Sequence, residues 1–223
     1  MDRRLVEIFP PLGLRITCGP LELRGITDVE VLALLEVVRE GVHDADTMPF
    51  AFPWTDAPAG ELPLDYLKWW WRQMATWSRE AWEINLCASW DGEVVGVQGV
   101  STQDFPTLRY GETGSWVGRK FHGRGIGTAM RQAMCAFLFD ELGFEFITSA
   151  AFADNAASLR VSEKLGYRQN GLVWQAPRGG RVVSQRLLLT PEDFVRGPAI
   201  TVEGAEAVRR LIAADEPEPH SGH

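Results

Sequence analysis

One short run constrains this chain more than any other: Gly123-Arg124-Gly125-Ile126-Gly127. It sits between an apolar segment with strand character, Tyr110 to Val117, and a segment whose apolar residues Ile126, Met130, Ala133 and Phe137 recur at helical spacing. Strand, glycine turn and helix in that order suit an anion. A helix start exposes unpaired N–H groups and a partial positive charge. Glycine lets the backbone close on a phosphate. Arg119, Lys120, His122 and Arg124 crowd the turn in a chain of net charge −8, so the positive charge there is local. The bland alternative is a helix that needs glycine only for packing.

Two familiar phosphate sites do not match. A nucleotide-binding P-loop ends in Gly-Lys-Ser/Thr, which is absent. A dinucleotide fingerprint spaces its glycines GxGxxG at the first strand–helix unit. Here the spacing is GxGxG, late in the chain, and no acidic residue closes the next strand.

Around this centre the sequence alternates strands and helices. Leu12 to Arg24 reads as extended, and Thr27 or Asp28 caps a helix carrying Val31, Leu34, Leu35 and Val38. The loop Met48 to Trp54 is rich in proline and aromatics. A helix from about Pro63 to Ala81 bears Trp69, Trp70, Trp71 and Trp77, more tryptophan than one core face takes, which suggests a pocket wall or a homo-oligomer contact. Ile84 to Trp90 and Glu93 to Val100 form a hairpin about Asp91-Gly92. Phe144 to Phe152, Tyr167 to Trp174 and Val182 to Leu189 read as further strands. Pro191-Glu192-Asp193 reads as the start of a short helix and 202–214 as an amphipathic one. The end, Glu216 to His220, reads as disordered.

A second polar constellation lies in the predicted helix that Asn155 caps and Gly166 ends. Asn155, Ser158 and Ser162 fall within one sector, beside an apolar sector of Ala157, Val161 and Leu165. A polar stripe bordering a buried face is where a helix meets a ligand in a cleft.

Together these two segments resemble the signature of the GNAT superfamily of acyl-coenzyme A-dependent N-acetyltransferases. Its Q/R-x-x-G-x-G/A pattern is met by Gly125 and Gly127, with His122 at the Q/R position as a departure. The resemblance implies an α/β (α+β) GNAT fold. That fold has a mixed, mostly antiparallel sheet of about seven strands flanked by helices and splayed between the fourth and fifth. Residues 1–200 would form the acyltransferase domain and 201–223 a C-terminal helix and tail. The donor's pantetheine arm would lie along Ser115, Trp116 and Val117. Its pyrophosphate would rest on His122, Gly123, Arg124, Gly125, Ile126, Gly127 and Thr128, and its thioester end beside Asn155, Ser158 and Ser162. Many members carry a tyrosine acid where Ser162 stands. Members similar to the ribosomal-protein N-acetyltransferases use a serine at the Ser158 position, which makes Ser158 the expected group at the sulfur.

The implied chemistry is direct acyl transfer to a primary amine in a ternary complex. A lysine-like amine has a pKa of roughly 10.4 and must shed a proton first. Glu112, on the strand leading to the turn, is the candidate base, with His43, Asp44 and Asp46 as rivals. Further segments, among them Glu40 to Asp44, Met48 to Phe50 and Gly96-Val97-Gln98, resemble mycobacterial N-succinyltransferases of the same superfamily. Acetyl-CoA and succinyl-CoA therefore both stand as donors. His43, Trp54 and Gln98 are the expected acceptor-side residues, with Arg109 a further partner for a succinyl carboxylate. The acceptor is an amine on a small molecule or a protein. A different class, a non-catalytic coenzyme A sensor or scaffold, also suits the missing tyrosine.

The acidic balance disfavours nucleic acid as a partner. No apolar run is long enough for a membrane span, and Cys18, Cys87 and Cys135 show neither metal spacing nor a disulfide framework, so a reducing cytoplasm and no metal are expected.

Overall fold

A computed structural model describes residues 3–212. The expected tail, Glu216 to His220, lies outside them. The chain builds one nine-stranded sheet in the order β7-β8-β6-β5-β4-β3-β2-β1-β9. Its strands are β1 (Arg15–Cys18), β2 (Leu21–Gly25), β3 (Glu83–Trp90), β4 (Glu93–Thr102), β5 (Tyr110–Val117), β6 (Phe146–Phe152), β7 (Arg168–Gln175), β8 (Val182–Leu189) and β9 (Thr201–Glu203). Neighbours run antiparallel except β5 and β6. The sheet exceeds the expected seven strands for two reasons. The extended segment 12–24 breaks at Gly19, where φ is 56°, into a hairpin, and β9 adds a strand beside β1.

The helices are α1 (Arg3–Ile8), α2 (Asp28–Glu40), α3 (Leu62–Ala75), α4 (Phe105–Leu108), α5 (Ile126–Asp140), α6 (Ala156–Leu165) and α7 (Ala205–Ile212). They divide between the two sheet faces. On one side α5 buries Ile126, Met130, Ala133, Met134 and Phe137 against Ile84, Leu86 and Val100, with Leu165 of α6 and Val208 of α7 in the same core. On the other, Val31, Leu34 and Leu35 of α2 and Tyr66 and Trp70 of α3 pack on Cys87 and Val97. Alternation along each strand sends successive side chains to opposite layers.

Local signals explain the ends. Thr27 caps α2 with a full capping box: Val29 N–H donates to its hydroxyl at 3.3 Å, and its own N–H donates to Glu30 at 2.9 Å. The Trp-rich helix stops at Ala75, short of the expected 81. Trp77 leaves it to stack on Trp82 and meet Phe9, and burial of that indole outweighs another helical turn. Pro191-Glu192-Asp193 forms a turn rather than a helix. Residues 201–212 are joined to the body, β9 to the sheet and Ala205, Val208 and Ile212 to the main core. Among the described residues no helix is long and apolar enough to cross a membrane.

Candidate active site

The site begins where the sheet opens. β5 and β6 pair in parallel at Tyr110–Phe146, Gly111–Ile147 and Glu112–Thr148 and then part. Side chains from the α5 layer occupy the divergence. Thr113 Oγ1 donates to Thr148 O at 3.3 Å, and Ser149 Oγ donates to Thr113 O at 3.2 Å. Arg131 of α5, only 4% exposed, spans both strands and donates to Ser115 Oγ and Ser149 Oγ, each at 3.1 Å. These bonds replace the missing ladder. Beyond them the edge of β5 from Ser115 to Val117 has no strand partner on the β6 side among the described residues. An extended ligand arm with its own amides can fill such an edge. The carboxyl ends of both strands feed helices, so α5 and α6 start at the open end, the usual crevice beside parallel strands.

At the α5 start Gly123 and Gly125 hold φ of 77° and 79°, a region that penalises side chains, and Gly125 is the N-cap with no side-chain hydrogen bond. The first N–H groups of α5 are thus left for an anion. His122 does not point at the turn's centre: its Nε2 donates to Val117 O at 2.8 Å, tying the turn to the end of β5. The positive island is smaller than the sequence suggests. Arg119 pairs with Asp44 at 3.3 Å, and Lys120 with Glu40 at 2.8 Å and Glu93 at 2.9 Å, hydrogen bonds that raise the Lys120 pKa. These pairs fasten the turn to the α2 side. Arg124 lies over the Phe121 ring, 5.6 Å from its centroid, with no such ion pair among the described residues.

The polar stripe on α6 resolves into three different jobs. Asn155 caps the helix, accepting from Ser158 N–H at 3.1 Å. Ser162 is buried and donates to Ser158 O at 3.2 Å. Ser158 is half-buried, and its hydroxyl makes no hydrogen bond with the described residues.

The opposite sheet face carries a cavity of about 770 Å³. Its floor follows from strand register. Glu83, Ser101 and Glu112 form one cross-strand row, and Asn85, Gly99 and Gly114 the next. Gly99 and Gly114 contribute no side chain. A Cβ added at Gly99 would meet Asn85 Oδ1 at 1.9 Å, so the Asn85 amide covers that position, whereas one added at Gly114 would meet nothing within 4 Å, so the trench in the floor opens at Gly114. The wall is aromatic. Trp54 contacts Phe50, Tyr66 and Trp116 at centroid distances of 5.3, 5.8 and 6.0 Å, and Trp69 continues it. Arg178, from the β7–β8 connection, clamps the aromatic loop through Asp56 at 2.6 and 2.7 Å. That hydrogen bond holds the Asp56 carboxyl below its ordinary pKa.

The expected residues divide. Trp54, Glu112, Ser115 and Trp116 line this cavity. Glu112 is not a bare base: Arg186 pairs with it at 3.1 Å. His43 is a loop tie, its Nδ1 donating to Asp44 O at 2.8 Å while Nε2 meets Thr55 Oγ1 at 2.7 Å. Gln98 is fully buried on the α5 side, where its amide donates to Gly99 O and Gly114 O, so it does not face this cavity. Arg109 lies over Phe105, away from the cavity lining. Burial pushes the Cys87 thiol up to about 12 and the Cys135 thiol up to about 11, which removes the thiolate either would need as a nucleophile. Sequence reasoning missed Arg131 and Glu83. Gly99 and Gly114, one in each of two neighbouring predicted strands, were the readable sign of a floor without side chains.

Comparison with known proteins identifies the family and the fold. The Acetyltransferase (GNAT) domain family matches residues 21–168, and the chain belongs to that family. Among curated proteins it is similar to the Bacillus subtilis protein named "Putative ribosomal N-acetyltransferase YdaF", 28% identical over 98 residues, 43% of this chain. The match spans about half of that relative's length, 53%. Among solved structures, Mycobacterium smegmatis RimJ in complex with CoA-disulfide superposes with TM-score 0.67 at 19% identity, covering 91% of this chain and 92% of that one. RimL, a ribosomal alpha-N-protein acetyltransferase in complex with coenzyme A, gives TM-score 0.64 at 18% identity over 78% and 95% of the two chains. At these identities the likeness establishes the GNAT fold.

Proposed function

We propose that the chain is an N-acyltransferase that moves an acetyl group from acetyl-CoA to a primary amine. The observation that carries the reading is the opening between β5 and β6, with an uncapped helix start at its mouth and an acceptor cavity across the sheet. In this reading the pyrophosphate rests on the α5 N-terminus between Gly123 and Thr128. The pantetheine amides pair with the free edge of Ser115, Trp116 and Val117. The amine arrives over the hollow at Gly114.

The amine loses one proton, and its lone pair attacks the thioester carbonyl carbon. The C–N bond forms, the C–S bond breaks, and the thiolate leaves and takes up a proton, giving amide and free coenzyme A. Ser158, whose hydroxyl is uncommitted, donates a hydrogen bond to the departing sulfur. A thiol of pKa about 8.5 is already a fair leaving group, so one hydroxyl suffices. Glu112 accepts the ammonium proton through water, with Arg186 setting its orientation. Burial of both central thiols supports direct attack over an acyl-enzyme. Much of the acceleration then comes from holding two reactants together.

Acetyl is favoured over succinyl because the trench floor presents Glu83, a carboxylate without an ion pair among the described residues, which would repel a succinyl carboxylate. The names of the relatives support an amine on a protein or a small molecule as acceptor, in the cytoplasm. The testing experiment measures free thiol release from acetyl-CoA and from succinyl-CoA across an amine panel. Release from acetyl-CoA that depends on the amine is expected. Binding of acyl-CoA without turnover of any amine would favour the sensor reading instead.

A further inference from the structure

Glu83 stands apart from the other carboxylates around the cavity. It opens β3, and Glu83 and Glu112 share Ser101 as cross-strand neighbour, so they lie two strand spacings apart on one face. That separation is roughly 10 Å between backbones. Between them the floor is Ser101, and in the next row Asn85 covers Gly99 while Gly114 leaves a hollow on the Glu112 side. Asp56 is neutralised by Arg178 and Glu112 by Arg186. Glu83 has no ion pair among the described residues. Its one hydrogen bond comes from Asn85 Nδ2 at a long 3.4 Å. Asp65, Lys68 and Arg72 also line the cavity, but all three are exposed on α3, whereas Glu83 is half-buried on the sheet.

An uncompensated carboxylate in an apolar recess costs free energy, and a bound cation offsets that cost. Burial raises the Glu83 pKa, opposed only by the Asn85 hydrogen bond, which marks a group lacking a positive neighbour. The aromatic wall of Trp54, Tyr66 and Trp69 suits both methylene groups and an ammonium. We infer that the acceptor is a small diamine, one amine presented to the thioester near Glu112 and a second, unreactive ammonium held by Glu83. This deepens the acetyltransferase reading and rests on it. The trench sets the spacing, the wall takes the linker, and Glu83 selects the second charge.

The experiment compares kcat/KM for 1,8-diaminooctane and octylamine with saturating acetyl-CoA, in the wild-type chain and in Glu83→Gln. A charge-assisted hydrogen bond in a recess corresponds to a preference of roughly tenfold or more for the diamine. Glu83→Gln should lower the diamine's kcat/KM at least roughly tenfold more than octylamine's. Calorimetric titration of 1,8-diaminooctane into the coenzyme A-loaded protein should weaken by the same factor. Glutamine is the neutral isostere that burial already favours, so the variant is expected to fold. Equal turnover of the two amines by the wild type, or a diamine preference that survives Glu83→Gln, overturns the inference. No thiol release with any amine would instead remove the underlying acetyltransferase reading.

Discussion

The two regions that the proposed function makes the donor and acceptor halves of the site are built by different means. The donor half is mostly backbone: a strand edge without a partner, two glycines at positive φ and an uncapped helix start. The acceptor half is mostly side chains gathered from far apart, with Trp54 from a loop, Tyr66 and Trp69 from α3, Glu83 from β3 and Glu112 from β5. Backbone recognition needs only a local run of residues with the right freedom. Side-chain recognition needs register and layer packing to be settled first. On the proposed reading the donor half is expected to tolerate His122 in place of the family's usual Q/R, because that ring bonds Val117 O rather than the turn's open N–H groups. The acceptor half has no such tolerance, since each wall residue has its own direction.

That division can be tested from both sides. Filling the trench with Gly114→Leu should abolish most amine turnover, a loss on the order of 100-fold or more, because displacing the acceptor by an ångström is enough. Acyl-CoA binding, followed by calorimetry, should stay close to wild type. A parallel loss of coenzyme A affinity would show that the halves are not separable. Gly125→Val reverses the experiment. A β-branched residue at φ of 79° costs about 1–3 kcal/mol; the turn relaxes from that conformation when empty, which weakens acyl-CoA affinity by roughly 5–150-fold. The amine KM at saturating donor should barely move.

Ser158→Ala should lower kcat about tenfold at constant KM for both substrates, the size of one hydrogen bond made at the leaving sulfur. An unchanged kcat would remove Ser158 from the chemistry. The smallest effect belongs to the clamp. Arg178→Gln should raise the amine KM a few-fold and leave donor binding alone, in line with the modest worth of exposed ion pairs. Because Arg178 holds the Asp56 pKa below its ordinary value, the clamp persists through neutral and mildly acidic pH. It is lost only as pH falls through that lowered value, so a wild-type amine KM that rose already near neutrality would contradict it.

Legibility followed the same line. The glycine turn, the strand before it and the helix after it were readable because each rests on neighbours in sequence. Thr27, Asn155 and Gly166 were readable as helix ends for the same reason. Ser162 belonged to the polar stripe by angle, yet it turns back onto Ser158 O and is buried. Gln98 looked like an acceptor residue, but its place in β4 sends the side chain to the α5 layer, because one residue's shift along a strand reverses the face. Arg119 and Lys120 looked like phosphate ligands until Asp44, Glu40 and Glu93 arrived beside them from distant segments.

By itself the sequence determined the family, the glycine turn and the strand–helix order that frames it, since these depend on φ preferences, periodicity and unpaired N–H groups within a few residues. Only the tertiary structure decided which charges survive at the site. It set Arg186 on Glu112 and left Glu83 without an ion pair among the described residues. It also drove Arg131 between two strands at their point of divergence. Charge pairing and burial are properties of three-dimensional neighbours, and no spacing along the chain encodes them.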